Sequence, residues 1–303
     1  MINLIKAQGI VKKFGNFCAL NGFDMHVPKG SIYGLIGPNG AGKTTIINHL
    51  TGAYIPDSGS VTIDGEPILN NTALKQRVLC ISDEGYQFGG YSTKDMADFY
   101  RSIYKNFNVD RYKTLGEMLE IDEKQQIRRL SKGMKKQVHF RLALSCMPDV
   151  LILDEPLDGL DPVMRKQIVN VVISDVASRD MTVLVSSHNL RELEDICDHV
   201  GIIHKGKMVM EKPIFDLKGS ICKVQLAFEG GELPEGLEDN LEVLHSSRLG
   251  SVHTLIIRAD AEKVTEIIKG YHPLVFDRVN LTLEEIFIYE MGGLGYDFKN
   301  III

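Results

Sequence analysis

The sequence lacks an apolar run long enough to cross a lipid bilayer, which takes about 18 uninterrupted residues. Its first sixteen residues also lack the apolar core and the small-residue cleavage site of a secretory signal peptide. Both absences favour a cytoplasmic protein. If the chain serves a membrane process, we expect it to lie peripherally on the inner face of the cell membrane, with another chain supplying the membrane-spanning part.

The cysteines show no paired spacing. They stand at positions 18, 80, 146, 197 and 222, and no two of them have the C-x-x-C spacing of a zinc or redox site. We therefore expect buried free thiols.

A surplus of basic charge is also missing. The formal net charge is −6, with eight basic and fifteen acidic residues from Asp216 onward and near neutrality before it. A nucleic-acid-binding protein normally presents a basic face to the phosphates. We therefore expect no nucleic-acid partner.

The chain's 303 residues suit two domains. In residues 1–215 apolar strands alternate with amphipathic helices, which is typical of an α/β domain, and helical spacing dominates residues 93–147. Residues 216–303 combine short strands with two helical segments, which predicts a small α+β domain after a change of composition near 217–219. Because this second domain is acidic and carries no catalytic signature, we expect an accessory role for it.

The strongest motif runs from Gly37 to Thr44 and fits G-x-x-x-x-G-K-[ST] without a mismatch. An apolar strand precedes it and a helical pattern follows it, as a phosphate-binding loop requires. Its glycines let backbone N–H groups surround phosphate oxygens, and the helix N-terminus adds partial positive charge. We expect Lys43 to reach the β- and γ-phosphates and the Thr44 hydroxyl to bind Mg²⁺. The motif alone does not say which kind of NTPase this is.

Two acids end the apolar segment Val150–Asp154 and follow it, namely Asp154 and Glu155. Carboxylates at the carboxyl end of a strand face the crevice where α/β sheets bind ligands. With a phosphate loop in the same chain, Asp154 is expected to hold Mg²⁺ and Glu155 to polarise the water that attacks the γ-phosphate. This pair changes the prediction from nucleotide binding to hydrolysis.

Over about residues 1–215 these motifs resemble, in order and spacing, those of the nucleotide-binding subunits of ABC transporters. Gly37–Thr44 resembles the Walker A loop, and Val150–Asp154 resembles the Walker B strand, followed by Glu155 as catalytic glutamate. The resemblance implies an α/β fold of the P-loop NTPase type. We expect a RecA-like core with an antiparallel β subdomain and a helical subdomain, plus the small C-terminal α+β domain.

Three further segments carry the resemblance: Leu130–Met134 resembles the signature motif, Gly159–Asp161 the D-loop and Ser187–His188 the switch histidine. Ser131 is a good N-cap for a helix at 132–147, and such a helix end is an anion site. In the family this end binds the γ-phosphate of the ATP held by the other cassette. The resemblance therefore implies a second cassette as partner, identical to this chain or different from it.

The residues carried over form three sets. Those expected to act in hydrolysis are Lys43, Glu155 and His188. Those expected to contact ATP are Phe14, Gly37, Pro38, Asn39, Gly40, Ala41, Gly42, Lys43, Thr44, Thr45, Ser131 and Gly133. Those expected to hold Mg²⁺ are Thr44, Asp154 and Asp83. Phe14 stands where an aromatic residue usually stacks on adenine, although such a residue near a strand end can also be core packing.

The signature motif departs from the usual LSGGQ at two positions, which hold Lys132 and Met134. Ser131 and Gly133 remain, so we expect phosphate binding to be retained.

The Q-loop departs further from the family pattern. Asp83 stands where the family places glutamine, and Gln87 is close enough to compete for the role. An acid at this position can still bind Mg²⁺ or water. This segment normally meets the membrane subunit.

The resemblance implies the ATP-hydrolysing subunit of a bacterial ABC transporter, and we expect an exporter of a peptide, an antibiotic or a lipid through a separate membrane permease. Two other functions stay open: a soluble ABC ATPase with a non-transport role, and a regulatory module that holds ATP without hydrolysing it. The single cassette, without a long coiled-coil insertion, argues against the first. The complete set of Lys43, Asp154, Glu155 and His188 argues against the second.

Overall fold

The computed structural model describes residues 2–82 and 90–293, so the two Q-loop candidates Asp83 and Gln87 lie outside the described residues. The chain divides into two compact units, Met1–Glu211 and Lys212–Ile303. Each unit has a hydrophobic core of its own. The compositional change near 217–219 lies within a helix of the second unit rather than in a linker.

The first unit holds two sheets and seven helices within the described ranges. The strands that begin in it are β1 Asn3–Phe14, β2 Phe17–Pro28, β3 Ile32–Ile36, β4 Ser58–Ile63, β5 Glu66–Pro67, β6 Val78–Ile81, β7 Val150–Asp154, β8 Thr182–Ser187, β9 His199–His204 and β10 Lys207–Pro213. The helices are α1 Lys43–Leu50, α2 Thr72–Lys75, α3 Thr93–Ile103, α4 Val109–Met118, α5 Lys132–Ser145, α6 Pro162–Arg179 and α7 Leu190–Glu194.

A six-stranded sheet in the order β10-β9-β3-β8-β7-β6 forms the centre of this unit. β3 pairs in parallel with β8 and β9, and β7 pairs in parallel with β6 and β8. β3, β7 and β8 are buried along their whole length. Burial of both sheet faces explains why these strands are continuous apolar runs without alternation. Because paired parallel strands point the same way, the residues that follow β3, β7 and β8 meet at one edge of the sheet.

A second sheet, in the order β2-β1-β4-β5, lies over the first. β1 pairs antiparallel with both β2 and β4. Its inward residues Ile5, Ala7 and Ile10 share one core with Leu35 of β3 and Ile46 of α1. This common core joins the antiparallel sheet to the helix that follows β3.

The helical region predicted at 93–147 consists of α3, α4 and α5, with a short 3₁₀ turn at Ile127–Arg129. Each of the three helices begins after a residue whose side chain accepts a hydrogen bond from the first turn, namely Ser92, Asn108 and Ser131. Such N-caps satisfy backbone donors that a helix start leaves unpaired.

Arg141 of α5 fastens α5 to α4. Its Nε donates to the carbonyl oxygen of Tyr112 at 2.9 Å, and its Nη2 donates to Glu123 Oε1 at 2.6 Å. The guanidinium lies 3.6 Å from the centre of the Tyr112 ring. Gly116 leaves room for it, since a Cβ at Gly116 would come within 2.1 Å of Arg141 Nη2. The buried charge is thus held by hydrogen bonds and by an aromatic face.

The second unit is an antiparallel sheet with helices, as predicted for the α+β domain. Its strands are β11 Cys222–Ala227, β12 Val243–Leu249, β13 Val252–Ile257 and β14 Val275–Val279, in the order β12-β13-β11-β14. Its helices are α8 Ile214–Ser220, α9 Ala261–Lys269 and α10 Leu283–Gly293. Val224 and Leu255 of the sheet form a core with Val264 and Ile268 of α9.

All five cysteines are free thiols, as predicted. Cys146, Cys197 and Cys222 are buried, whereas Cys18 and Cys80 are only half-buried. Among the helices in residues 2–82 and 90–293, none has the length and apolar character needed to span a membrane.

Candidate nucleotide site

The predicted phosphate loop lies between the carboxyl end of β3 and the N-terminus of α1. Gly42 is the N-cap of α1 and has φ +113°, which favours glycine. Gly37 packs against β9 so closely that a Cβ would lie 2.4 Å from the carbonyl oxygen of Ile203. Since a glycine N-cap has no side chain to bond the first N–H groups of α1, these groups stay available to an anion.

Lys43, the first residue of α1, is only 6% exposed. Its Nζ donates to the carbonyl oxygen of Gly37 at 2.6 Å and lies 3.3 Å from Glu155 Oε1. The side chain therefore folds back over its own loop, where a carboxylate balances its charge. A phosphate group that entered the loop would compete with Glu155 for this ammonium.

Asp154 connects the phosphate loop to the central sheet. Its Oδ2 accepts from the Thr44 hydroxyl at 2.9 Å, and its Oδ1 accepts from the Ser186 hydroxyl at 2.5 Å. β7 and β8 are neighbours, so Ser186 stands opposite Asp154 in the sheet. Asp154 is 4% exposed, and both of its carboxylate oxygens are hydrogen-bonded. A hydroxyl and a carboxylate in contact are oxygen ligands of the kind that Mg²⁺ prefers.

Cys80 lies on β6, next to β7. Burial, with a smaller contribution from the Asp154 carboxylate, raises the pKa of its thiol to about 12. The thiol is therefore protonated at neutral pH and adds no negative charge beside Asp154.

The Glu155 carboxylate lies between Lys43 and His188. Its Oε1 is 3.3 Å from Lys43 Nζ and its Oε2 is 3.0 Å from His188 Nδ1. The Glu155 backbone has φ +46°, an uncommon conformation for a residue with a side chain. In an extended strand consecutive side chains face opposite ways. The left-handed turn at Glu155 breaks this alternation, so both Asp154 and Glu155 contact the phosphate loop.

Asp158 is a further acid at this edge. One ligand atom from each of Glu155, Asp158 and His188 lies within 4.8 Å of the others. Two carboxylates and an imidazole at this spacing can hold a water molecule or a cation among them.

Ser131 caps α5 through its side-chain oxygen, which accepts from the Met134 N–H at 3.2 Å. Gly133, in the first turn, approaches the loop after β7: a Cβ there would lie 2.6 Å from the carbonyl oxygen of Gly159. Ser131 is exposed, so the start of α5 is open to a ligand from outside the chain.

Phe14 ends β1 and is 46% exposed. Its ring lies 5.7 Å from that of Tyr54 in an edge-on arrangement, and Lys12 Nζ lies 5.7 Å from its centre. Phe14 is thus a surface aromatic beside Tyr54, which argues against the alternative of core packing.

The central part of the predicted site is brought together at one sheet edge, by direct contacts among Lys43, Thr44, Asp154, Glu155 and His188. Phe14 lies at the end of β1 and Ser131 at the start of α5. Sequence reasoning missed three contributors. They are Ser186, which donates to Asp154, Asp158, which lies beside Glu155 and His188, and Lys136, which donates to the Glu155 carbonyl oxygen. Only Ser186 had a sequence signal, because it lies near the end of an apolar strand like the one that carries Asp154.

A phosphate loop after β3, paired carboxylates at the end of β7 and an antiparallel sheet that shares the core define the ATP-binding cassette class of P-loop ATPases. The family model for "ABC transporter" matches residues 20–158. The chain is 30% identical to the ABC transporter ATP-binding protein YtrB of Bacillus subtilis, over 96% of this chain and 99% of that protein. The chain belongs to the family of ABC transporter ATP-binding proteins, which are ATPases.

Two other comparisons agree. The chain is 35% identical to the bacitracin transport ATP-binding protein BcrA of Bacillus licheniformis, over 72% of each chain. A solved ATP-binding subunit of an ABC transporter is 24% identical and superposes with a TM-score of 0.66, covering 71% of this chain and 92% of that one. Because the two sequences are only 24% identical, this superposition supports the fold and nothing further about function.

Proposed function

We propose that this chain hydrolyses ATP and that Glu155 acts on the attacking water. The observation that carries this proposal is that Lys43 and His188 both contact the Glu155 carboxylate. The water oxygen would form a bond to the γ-phosphorus while the bond from that phosphorus to the leaving oxygen of ADP breaks. Glu155 would accept the proton that the water loses. Lys43 would balance the charge of the β- and γ-phosphates, and His188 would hold the water and the γ-phosphate.

Mg²⁺ fits the contact between Thr44 and Asp154, because a hydroxyl and a carboxylate oxygen already lie 2.9 Å apart there. The bound cation would neutralise charge on the phosphates. The third residue proposed for it, Asp83, lies outside the described residues.

The triphosphate would lie along the loop from Gly37 to Thr45 and over the N-terminus of α1, whose first N–H groups can surround its oxygens. We assign the adenine to the exposed ring of Phe14, which can stack on a base without leaving a packed core.

We infer that the site is shared between two chains. Ser131 and Gly133 would bind the γ-phosphate of the ATP held by a second cassette, through the open start of α5. The exposure of Ser131 supports this assignment. The second cassette would be a further copy of this chain or a different one.

The transport role is inferred from relatives. BcrA is named for bacitracin transport, and we extend this to export of a peptide, an antibiotic or a lipid by the present chain. A separate integral membrane permease would be its partner, and the chain would then lie peripherally on the inner face of the membrane. The cassette would span about residues 1–215, and the domain at 216–303 would be an accessory to it.

The test is the substitution Glu155→Gln, with the exposed Glu117→Gln of α4 as matched control. The amide cannot accept the proton from water, so we expect turnover to fall by at least about a hundredfold. Binding of a fluorescent ATP analogue should persist. Turnover is measured on the purified chain and on its complex with any co-purifying membrane protein. Hydrolysis at the wild-type rate by Glu155→Gln would show that another group activates the water.

A further inference from the structure

Lys136 lies one turn after Gly133 in α5 and is almost fully buried, with 3% of its surface exposed. Its Nζ donates to the backbone carbonyl oxygen of Glu155 at 2.6 Å. A lysine is rarely buried to this degree, because its ammonium loses the hydration that water provides. A short charge-assisted hydrogen bond to a carbonyl offsets part of that loss. The contact therefore marks a specific position for this lysine.

The backbone of Glu155 needs such support. A residue with a side chain at φ +46° is strained, and the residue before a proline, here Pro156, favours extended backbone instead. Strained conformations of this kind persist only where the surroundings enforce them.

Both polar backbone groups of Glu155 are held from opposite sides. Its N–H lies 3.2 Å from the carbonyl oxygen and 3.2 Å from the hydroxyl of Ser186 on β8. Its carbonyl oxygen accepts from Lys136 on α5. β8 is fixed within the central sheet, whereas α5 belongs to the helical region. The orientation of the Glu155 backbone thus depends on a side chain from that region.

A second contact joins the same two segments. The carbonyl oxygen of Gly159 lies so close to Gly133 that a Cβ there would be 2.6 Å away. The first turns of α5 are thus attached at two places to the segment that begins with Glu155. A shift of the start of α5 would act directly on the Glu155 backbone.

We propose that Lys136 is a positioning residue for Glu155. It thereby connects two sites: the start of α5, which would face the nucleotide of the second cassette, and the hydrolytic carboxylate of its own chain. The proposal rests on the proposed function, in which Glu155 activates water. Lys136 is buried and acts through the Glu155 backbone, so it should have no direct contact with the nucleotide. Its loss should therefore impair turnover and leave ATP affinity in place.

The test compares Lys136→Met, Lys136→Gln and Lys136→Arg, with Lys113→Met on the exposed face of α4 as control. Methionine removes the donor at similar length, whereas glutamine and arginine retain one. For Lys136→Met we expect kcat to fall by at least about tenfold, as for a misplaced reacting group, with KM and nucleotide affinity changed by less than about twofold. Glutamine or arginine should restore at least about a third of the lost rate.

Three results would overturn the proposal: a kcat of Lys136→Met within about twofold of the control, a rise in KM at unchanged kcat, or rates for the glutamine and arginine variants as low as for methionine. If Lys136→Met does not fold, the glutamine and arginine variants decide alone. At least one of them must then hydrolyse ATP at no less than about a third of the wild-type rate.

A double-mutant cycle separates positioning from general damage to the fold. In a Glu155→Gln background, Lys136→Met should lower the residual single-turnover rate by less than about twofold, because the group it positions is already disabled. A loss as large as in the wild-type background would show that Lys136 acts elsewhere. If Glu155→Gln itself retains full activity, the proposed function fails; if it is inactive while Lys136→Met is fully active, only the role of Lys136 fails.

Discussion

Gly133 stands in the first turn of α5, where helix propensity and packing make opposite demands. Alanine in place of glycine favours a helix by about 1 kcal/mol. A Cβ at this position would nevertheless lie 2.6 Å from the carbonyl oxygen of Gly159, which is a backbone atom that cannot rotate away. The packing cost of a side chain should therefore exceed the gain in helix propensity. Glycine at position 133 allows α5 to lie close to the loop after β7.

For Gly133→Ala we expect a lower thermal unfolding midpoint and reduced ATP hydrolysis. The control is Gly219→Ala in α8, where a Cβ would have no atom within 4 Å and where alanine should leave the midpoint unchanged or raise it. Differential scanning calorimetry of the full chain measures both variants. A midpoint raised equally by both substitutions would show that the loop gives way to the added methyl group.

Individual site residues could be predicted from the sequence where a motif specifies both residue type and spacing, as for Lys43 and Asp154. Lys136 could not be predicted, because its role arises from a contact with Glu155, which is distant from it in the chain. A lysine in an amphipathic helix is normally a solvated surface residue. The packing of α5 in the folded chain buries this one, with its ammonium against the Glu155 carbonyl oxygen.

The helical region depends on Arg141, which joins α4 and α5 through Tyr112 and Glu123. We expect Arg141→Met to destabilise the protein by about 1–3 kcal/mol, because it leaves the Tyr112 carbonyl oxygen without its buried donor. The Glu123 carboxylate is 40% exposed and can be hydrated once its partner is gone. Arg141→Lys keeps the charge but not the fork of donors, so a smaller loss is expected. Urea unfolding followed by far-UV circular dichroism measures the difference. Equal stability of Arg141→Met and wild type would show that the pair contributes nothing net.

At the scale of elements, the central strands could be predicted because strands buried on both faces leave continuous apolar runs. Helix ends were less predictable. The apolar spacing of residues 189–198 is typical of a helix, but α7 ends at Glu194. The Asp198 carboxylate accepts from the Ile32 N–H at 2.9 Å, and the Asp198 N–H donates to the Ile32 carbonyl oxygen at 2.9 Å. These tertiary bonds draw the chain into the sheet and override local propensity.

At the scale of the whole molecule, the division into two units could be predicted from composition, but its position could not be located closely. The change near 217–219 lies inside α8, while the units divide between Glu211 and Lys212. The apolar residues Ile214 and Leu217 of α8 are buried. The composition changes where acidic residues become frequent, from Asp216 onward. The boundary between the units is set instead by which residues pack together.

The two halves of the proposed site belong to different elements of one chain. The phosphate loop would hold ATP, and the helix start at Ser131 would complete the site of another cassette. A single cassette would therefore bind nucleotide but lack the γ-phosphate contacts from a partner. Hydrolysis should require two cassettes, and blocking it should trap them together around two ATP molecules.

Analytical ultracentrifugation of the Glu155→Gln chain with MgATP tests this account most directly. Because the bound ATP is not consumed, we expect a dimer with MgATP and a monomer with EDTA or ADP. The double variant Ser131→Arg/Glu155→Gln should stay monomeric while still binding ATP, since the bulky cation fills the open start of α5. A monomer of the Glu155→Gln chain at saturating MgATP, or a dimer that forms equally well with Ser131→Arg, would contradict the shared site.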